Sequence, residues 1–224
     1  MTAGAAPTPT GLVTSVVGGF LGICWALMLV DHLTDFNLPR YGNRPQELAG
    51  LFGILVGPLI HGSFTHLLQN TPPIAVLGTA IVAGYPLARW RALGVIYFGS
   101  GLAVWCLARP SSHIGASGLA LGMMTFVFVA GVMRWDRKAI ALALIVAFLF
   151  GGMIWGIFPS APGVSYESHF FGAVMGVVAA LLFGRVDPTP PPKRYSWEFE
   201  EAESSVSSWK PTYGPTNRRP GEDR

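Results

Sequence analysis

Six stretches of this chain are apolar over lengths that reach across a lipid bilayer: 11–30, 66–86, 92–108, 115–133, 139–158 and 166–184. A helix that crosses the hydrocarbon core needs about 20 mainly apolar residues. Only 12% of the residues are charged, about half the roughly 25% usual in soluble domains. The expected fold is therefore an all-α membrane protein, a bundle of six spanning helices over 11–184. A shorter apolar segment, Leu48 to Ile60, lies between the first two runs. Its length suits a segment that dips into the membrane or packs on other helices rather than one that spans.

The ends of the chain read differently. Residues 1–10 are expected to form a short cytoplasmic N-terminus. No Lys or Arg precedes Arg40, so the basic start of a cleaved signal peptide is missing and the first run is expected to be retained. Residues 185–224 are rich in Pro, Ser, Glu and Arg without a helical apolar period, the signature of a disordered tail. Cys24 and Cys106 sit inside apolar runs and read as small core residues. No disulfide framework, metal or cofactor is expected.

Basic residues indicate an orientation. With the N-terminus inside, Arg89, Arg91, Arg134, Arg137, Lys138 and Arg185 fall at the inner face, and Arg40, Arg44 and Arg109 at the outer face. This bias places both termini in the cytoplasm and suits a bacterial plasma membrane. The second, fourth and sixth spans then all begin at the outer face. Near their starts lie His66 and Asn70, then Ser117, then His169. Three groups distant in sequence thus reach a similar depth, just below the outer surface.

Small residues bring two of these helices together. Gly118 and Gly122 follow Ser117, and Gly172 and Gly176 follow His169. Such small-xxx-small pairs let helix backbones approach closely in membranes. Packed together, the two helices supply a serine nucleophile and an imidazole base. His66 and Asn70 are four apart and share one helical face. Two donors on one face suit a developing oxyanion, and the Ser117 backbone N–H offers a third. No acidic residue in the spans is placed to orient the base. Glu167 is expected at the watery edge, pointing elsewhere, so a Ser-His dyad is expected rather than a triad. His32 and His113 read as ordinary loop histidines.

At these residues the chain resembles the rhomboid intramembrane serine proteases. HGSFTHLLQN (61–70) has the family's His-x4-His-x3-Asn spacing, GASG (115–118) its Gly-x-Ser-Gly motif, and HFFGAVMG (169–176) its His-x2-Gly-x3-Gly pattern. The three occur in the family order. The resemblance implies a six-helix rhomboid-like bundle with a first loop partly embedded in the membrane. It implies Ser117 as nucleophile, His169 as general base, His66 and Asn70 at the oxyanion hole, and a supporting role for His61, beside the motif glycines Gly115, Gly118 and Gly172. It also implies a mobile cap near Pro159 to Ser165. Implied partners are transmembrane protein substrates, cut near the outer face, and the bilayer itself; nucleic acid is not among them. The chain departs from the pattern at three points. Leu121 stands where many members have a tyrosine stacked on the catalytic histidine. No Trp-Arg pair occurs in 31–60. Pro72 and Pro73 follow Asn70, and proline inside a helix predicts a bend there.

Two other classes compete: a rhomboid-like protein that binds membrane clients without cutting them, and a transporter or metal-handling protein using His61, His66 and His169. The presence of both Ser117 and His169 weighs against the first. The lack of a carboxylate relay or a cysteine ligand pair in the spans weighs against the second.

Overall fold

A computed structural model describes residues 9–135, 137–159 and 165–188. The expectations for the extreme N-terminus, the cap residues 160–164 and the tail beyond 188 lie outside these residues. Six helices are long and apolar enough to cross a membrane: Thr10–Thr34, Phe64–Gly84, Arg89–Leu107, Ser117–Arg134, Ala139–Ile157 and Tyr166–Phe183. They match the six apolar runs to within a few residues at each end. About 78% of the described residues are helical, and no strand forms among them.

The fourth span is the hub. It is buried over most of its length, whereas the fifth is almost entirely turned outward. Leu119, Ala120, Leu121, Met123, Phe126, Val127 and Ala130 form the middle of the core, met by Leu77 and Ile81 from the second span and by Ala179 and Ala180 from the sixth. Lipid is as apolar as these side chains, so burial alone does not drive the helices together. Close packing and interhelical hydrogen bonds do.

Glycine is what permits that packing between the fourth and sixth spans. A Cβ added at Gly172 would run into the Gly118 carbonyl, and one at Gly176 into the Gly122 carbonyl. The backbones therefore touch, and Thr125 Oγ1 donates across the seam to the Ala173 carbonyl at 3.0 Å. The expected small-residue seam joins the helices that carry Ser117 and His169.

The short apolar segment forms a helix over Gly50–Leu59, the length its composition suggested. The first loop is pinned to the loop between the third and fourth spans. Asn43 N donates to the His113 carbonyl at 3.0 Å, and His113 N to the Asn43 carbonyl at 2.9 Å. Gly115 N bonds the Gly57 carbonyl at 2.9 Å, so the loop helix braces the turn that leads into Ser117.

The second span continues as α-helix through Pro72 and Pro73. These prolines remove the donors that would reach the Leu68 and Gln69 carbonyls, yet they do not break the helix. Side chains engage the carbonyls just before: Asn70 Nδ2 donates to His66 O at 3.0 Å and Thr71 Oγ1 to Leu67 O at 2.8 Å. Past the sixth span, Asp187 is buried. Its carboxylate accepts from Leu87 N at 2.7 Å and Ala88 N at 3.1 Å. It thus holds the turn that leads into the third span, which starts at Arg89, and ties the end of the bundle to the loop between spans two and three.

Candidate active site

Ser117 is the first residue of the fourth helix, and Ser165 caps the sixth, which puts His169 in the second turn of its helix. The seam places them side by side. His169 Nε2 and Ser117 Oγ are 2.6 Å apart. The other ring nitrogen, Nδ1, lies 2.8 Å from the Gly156 carbonyl. A carbonyl only accepts, so Nδ1 carries the proton and Nε2 is left as acceptor for the serine hydroxyl. A backbone carbonyl thus orients this imidazole as an acid orients it in a triad.

Gly156 was not singled out by its sequence, because every residue type offers a carbonyl. It lies in the tighter turn Gly151–Ile157 that ends the fifth span, and a Cβ there would meet the His169 ring at 2.5 Å. Only a residue without a side chain lets the backbone come this close. Leu121, at the position of the missing tyrosine, is fully buried in the core.

The loop before Ser117 is shaped by the two histidines of the HGSFTHLLQN motif. Gly115 has φ +99°, a backbone state that side chains other than glycine rarely adopt. A Cβ there would also lie 2.6 Å from His66 Cε1, so glycine is required on both counts. His61 accepts from Ala116 N through Nε2 at 3.4 Å, and its Nδ1 faces the Leu59 carbonyl at 3.4 Å. Its ring meets His66 edge-on at 5.0 Å. Burial, followed by the neighbouring His66, pushes the His61 imidazole down to about 4. A neutral His61 is therefore built into the support of the loop.

A cavity of about 510 Å³ opens over these groups. Its lining includes His66, Gln69, Asn70, Ser117, Met153 and His169. The structure thus brings all four expected site residues to one cavity. Asn70 is buried and spends one amide hydrogen on the His66 carbonyl, which leaves a second. Ser117 N–H belongs to a helix first turn, where backbone donors lack partners in the helix. His61, Gly115, Gly118 and Gly172 line or brace the same region without touching the Ser117–His169 hydrogen bond.

Two expectations are corrected here. Glu167 is buried, not at a watery edge, and Arg109 Nε lies 3.3 Å from its Oε1. Arg109 also stacks on the Tyr166 ring at 4.9 Å. His113 is a buried tether, not an ordinary loop residue. Its Nδ1 meets Ser165 Oγ at 2.5 Å and its Nε2 faces the Arg109 carbonyl at 3.1 Å. Burial pushes its imidazole below the ordinary value. Apolar surroundings make a lone charge costly, so Glu167 and Arg109 come together where a loop meets a helix end. These contacts tie the loop between spans three and four to the start of the helix that bears His169. No spacing rule links Arg109 to Glu167, which is why the sequence did not reveal the tether.

Fold and cavity define a class: a multi-pass helical membrane protein with a serine-histidine pair set at the ends of two packed helices. The Rhomboid domain model matches residues 47–186, and the chain belongs to the rhomboid family. It is 37% identical over 194 residues to an uncharacterized protein of Mycobacterium tuberculosis, covering 78% of this chain and 80% of that one. It is 35% identical over 185 residues to an uncharacterized protein of Mycobacterium leprae, covering 75% and 72%. A more distant match, 24% identical over 150 residues, is the Rhomboid-like protease 5 of Toxoplasma gondii, with 63% of this chain and 17% of that protein covered.

Proposed function

We propose that the chain is an intramembrane serine endopeptidase that cuts transmembrane proteins. The observation that carries this reading is the 2.6 Å contact between Ser117 Oγ and His169 Nε2 inside an open cavity. In the proposed reaction Ser117 Oγ attacks the scissile carbonyl carbon as Nε2 takes the hydroxyl proton. The carbonyl oxygen becomes an oxyanion that His66, the free Asn70 N–H and the Ser117 N–H stabilise. Collapse of this intermediate breaks the C–N bond, and the proton on Nε2 passes to the leaving amine. Water then enters the cavity and gives its proton to Nε2. Its oxygen attacks the acyl ester, the C–O bond to Ser117 Oγ breaks, and the proton on Nε2 returns to Oγ. The Gly156 carbonyl keeps the proton on Nδ1 throughout, so that Nε2 does the transfers.

Family membership and a relative named as a protease support this reading. A catalytically silent client-binding member would have no use for a hydrogen-bonded serine and imidazole. Both termini are proposed to lie in the cytoplasm of a bacterial plasma membrane, with the cavity toward the outer face, on the strength of the positive-inside bias.

Covalent labelling tests the assignment. A serine-directed phosphonate is expected to attach to Ser117, mapped by peptide mass spectrometry, and attachment is expected to vanish in His169→Ala. Labelling that persists without His169 would show that another group activates the serine.

A further inference from the structure

The Ser117–His169 contact has a counterpart on its loop side. His113 lies four residues before Ser117, and Ser165 four before His169. His113 Nδ1 meets Ser165 Oγ at 2.5 Å. The two pairs join the same two chain segments with the roles exchanged. In one the serine precedes the fourth span and the histidine the sixth; in the other the order is reversed. Both rings are oriented in the same manner. His113 Nε2 faces the Arg109 carbonyl at 3.1 Å. A carbonyl only accepts, so in the neutral ring Nε2 carries the proton and Nδ1 takes the Ser165 hydroxyl hydrogen. His169 uses the opposite nitrogens, Nδ1 on the Gly156 carbonyl and Nε2 on Ser117.

The outer pair supplies what the glycine seam lacks. Backbone contact at Gly118 and Gly172 limits how closely the helices approach. It resists their parting only weakly, because lipid can replace an apolar neighbour. Hydrogen bonds across the seam supply the resistance. Deeper in the bundle Thr125 Oγ1 holds the Ala173 carbonyl. On the loop side His113 holds Ser165, and the reacting pair lies between these two ties. His113 is a fixed point. Its backbone pairs with that of Asn43, whose Nδ2 donates to the Gly101 carbonyl at 2.7 Å. Ser165 in turn governs the start of the sixth helix. Its Oγ accepts from Ser168 N at 3.3 Å, and its carbonyl accepts from His169 N at 3.3 Å.

We propose that His113 is a positioning residue for peptide hydrolysis: by holding Ser165 it keeps His169 Nε2 within reach of Ser117 Oγ. The inference rests on the protease reading and adds a residue that touches neither the substrate nor the reacting atoms. Arg109 and Glu167 join the same loop to the same helix start. The loop is therefore expected to stay docked when His113 is replaced, and what is lost is alignment.

The test measures the labelling rate of Ser117 by a small phosphonate, on full-length protein in detergent, beside thermal unfolding. His113→Leu is expected to label about 10- to 100-fold more slowly, from one lost hydrogen bond and a sub-ångström drift of the base. His113→Asn places an amide oxygen near the position of Nδ1 and is expected to regain most of the rate. A residue that merely fills apolar space would rank leucine above asparagine. On a transmembrane reporter the loss in His113→Leu is expected in kcat, with KM unchanged. Ser165→Ala should slow labelling by a similar factor, and adding His113→Leu to it should cost little more. Wild-type labelling in His113→Leu or in Ser165→Ala, an asparagine variant no faster than leucine, or additive losses in the double variant would each overturn the role of His113. A wild-type protein that neither labels nor cleaves would overturn the protease reading itself, and this inference with it.

Discussion

Gly118→Ala places a single methyl group between the helices that carry the proposed nucleophile and base. Gly118 follows Ser117, and its missing Cβ would point at Ser168, the residue before His169. An added Cβ would stand 2.6 Å from the Ser168 carbonyl oxygen and 3.0 Å from its carbon, whereas ordinary contact begins at 3.4 Å. The obstacle is helix backbone, which cannot rotate aside as a side chain could. The two helices must therefore part by about 0.8 Å at this level, if the methyl is to reach ordinary contact. The same movement stretches the Ser117–His169 hydrogen bond from 2.6 Å to about 3.4 Å, outside the useful range for a hydroxyl donor. A misplacement near 1 Å costs on the order of 100-fold in rate. Overpacking strain of about 1–3 kcal/mol is expected alongside, a fall in Tm of a few degrees for a chain of this size. The assay is the phosphonate labelling rate of purified protein, read beside its thermal unfolding. Gly94→Ala is the control, since nothing lies within 4 Å of a Cβ there; it should label at the wild-type rate. Wild-type labelling in Gly118→Ala would refute the claim that backbone contact at the seam sets the site geometry.

Two further outcomes follow, one from His61 beside the site and one from Asp187 at the other end of the bundle. The His61 imidazole titrates at about 4 in the fold against 6.5 in an unstructured chain, so as pH falls the unfolded chain takes up its proton first. Stability contributed by neutral His61 is therefore whole above pH 6.5 and drains away between there and about pH 4, by roughly 3 kcal/mol at most. Thermal unfolding in detergent should show this acid-side decline flattened in His61→Gln; an unaltered slope would contradict the burial argument. Asp187→Ala leaves Leu87 N and Ala88 N without their acceptor, and should lower stability by about 1–2 kcal/mol with the labelling rate at Ser117 little changed. Asp187→Asn, which keeps one acceptor oxygen, should recover part of the loss.

Much of this was legible in the sequence because membranes leave few choices. A polar residue in an apolar run stands out, and alternating span direction fixes which helix ends share a level. Those two facts brought Ser117, His169, His66 and Asn70 to one end of the bundle before any coordinates. Paired glycines then chose which helices touch. What remained hidden had no residue-type signal. The Gly156 carbonyl that orients His169 is chemically like every other carbonyl, and only the fold aims it. Arg109 and Glu167 each read as a charge at a loop edge, and their pairing emerges from how a loop meets a helix start. Asp187 falls within the polar tail 185–224, whereas in the fold it holds the turn before a distant helix.

The central claim is that Ser117 cuts a peptide bond within the membrane, and its most direct test is cleavage of a transmembrane reporter in vesicles containing either the wild-type protein or Ser117→Ala at matched levels. The account predicts cleavage by the wild type and none by the variant. Equal cleavage by both would contradict it.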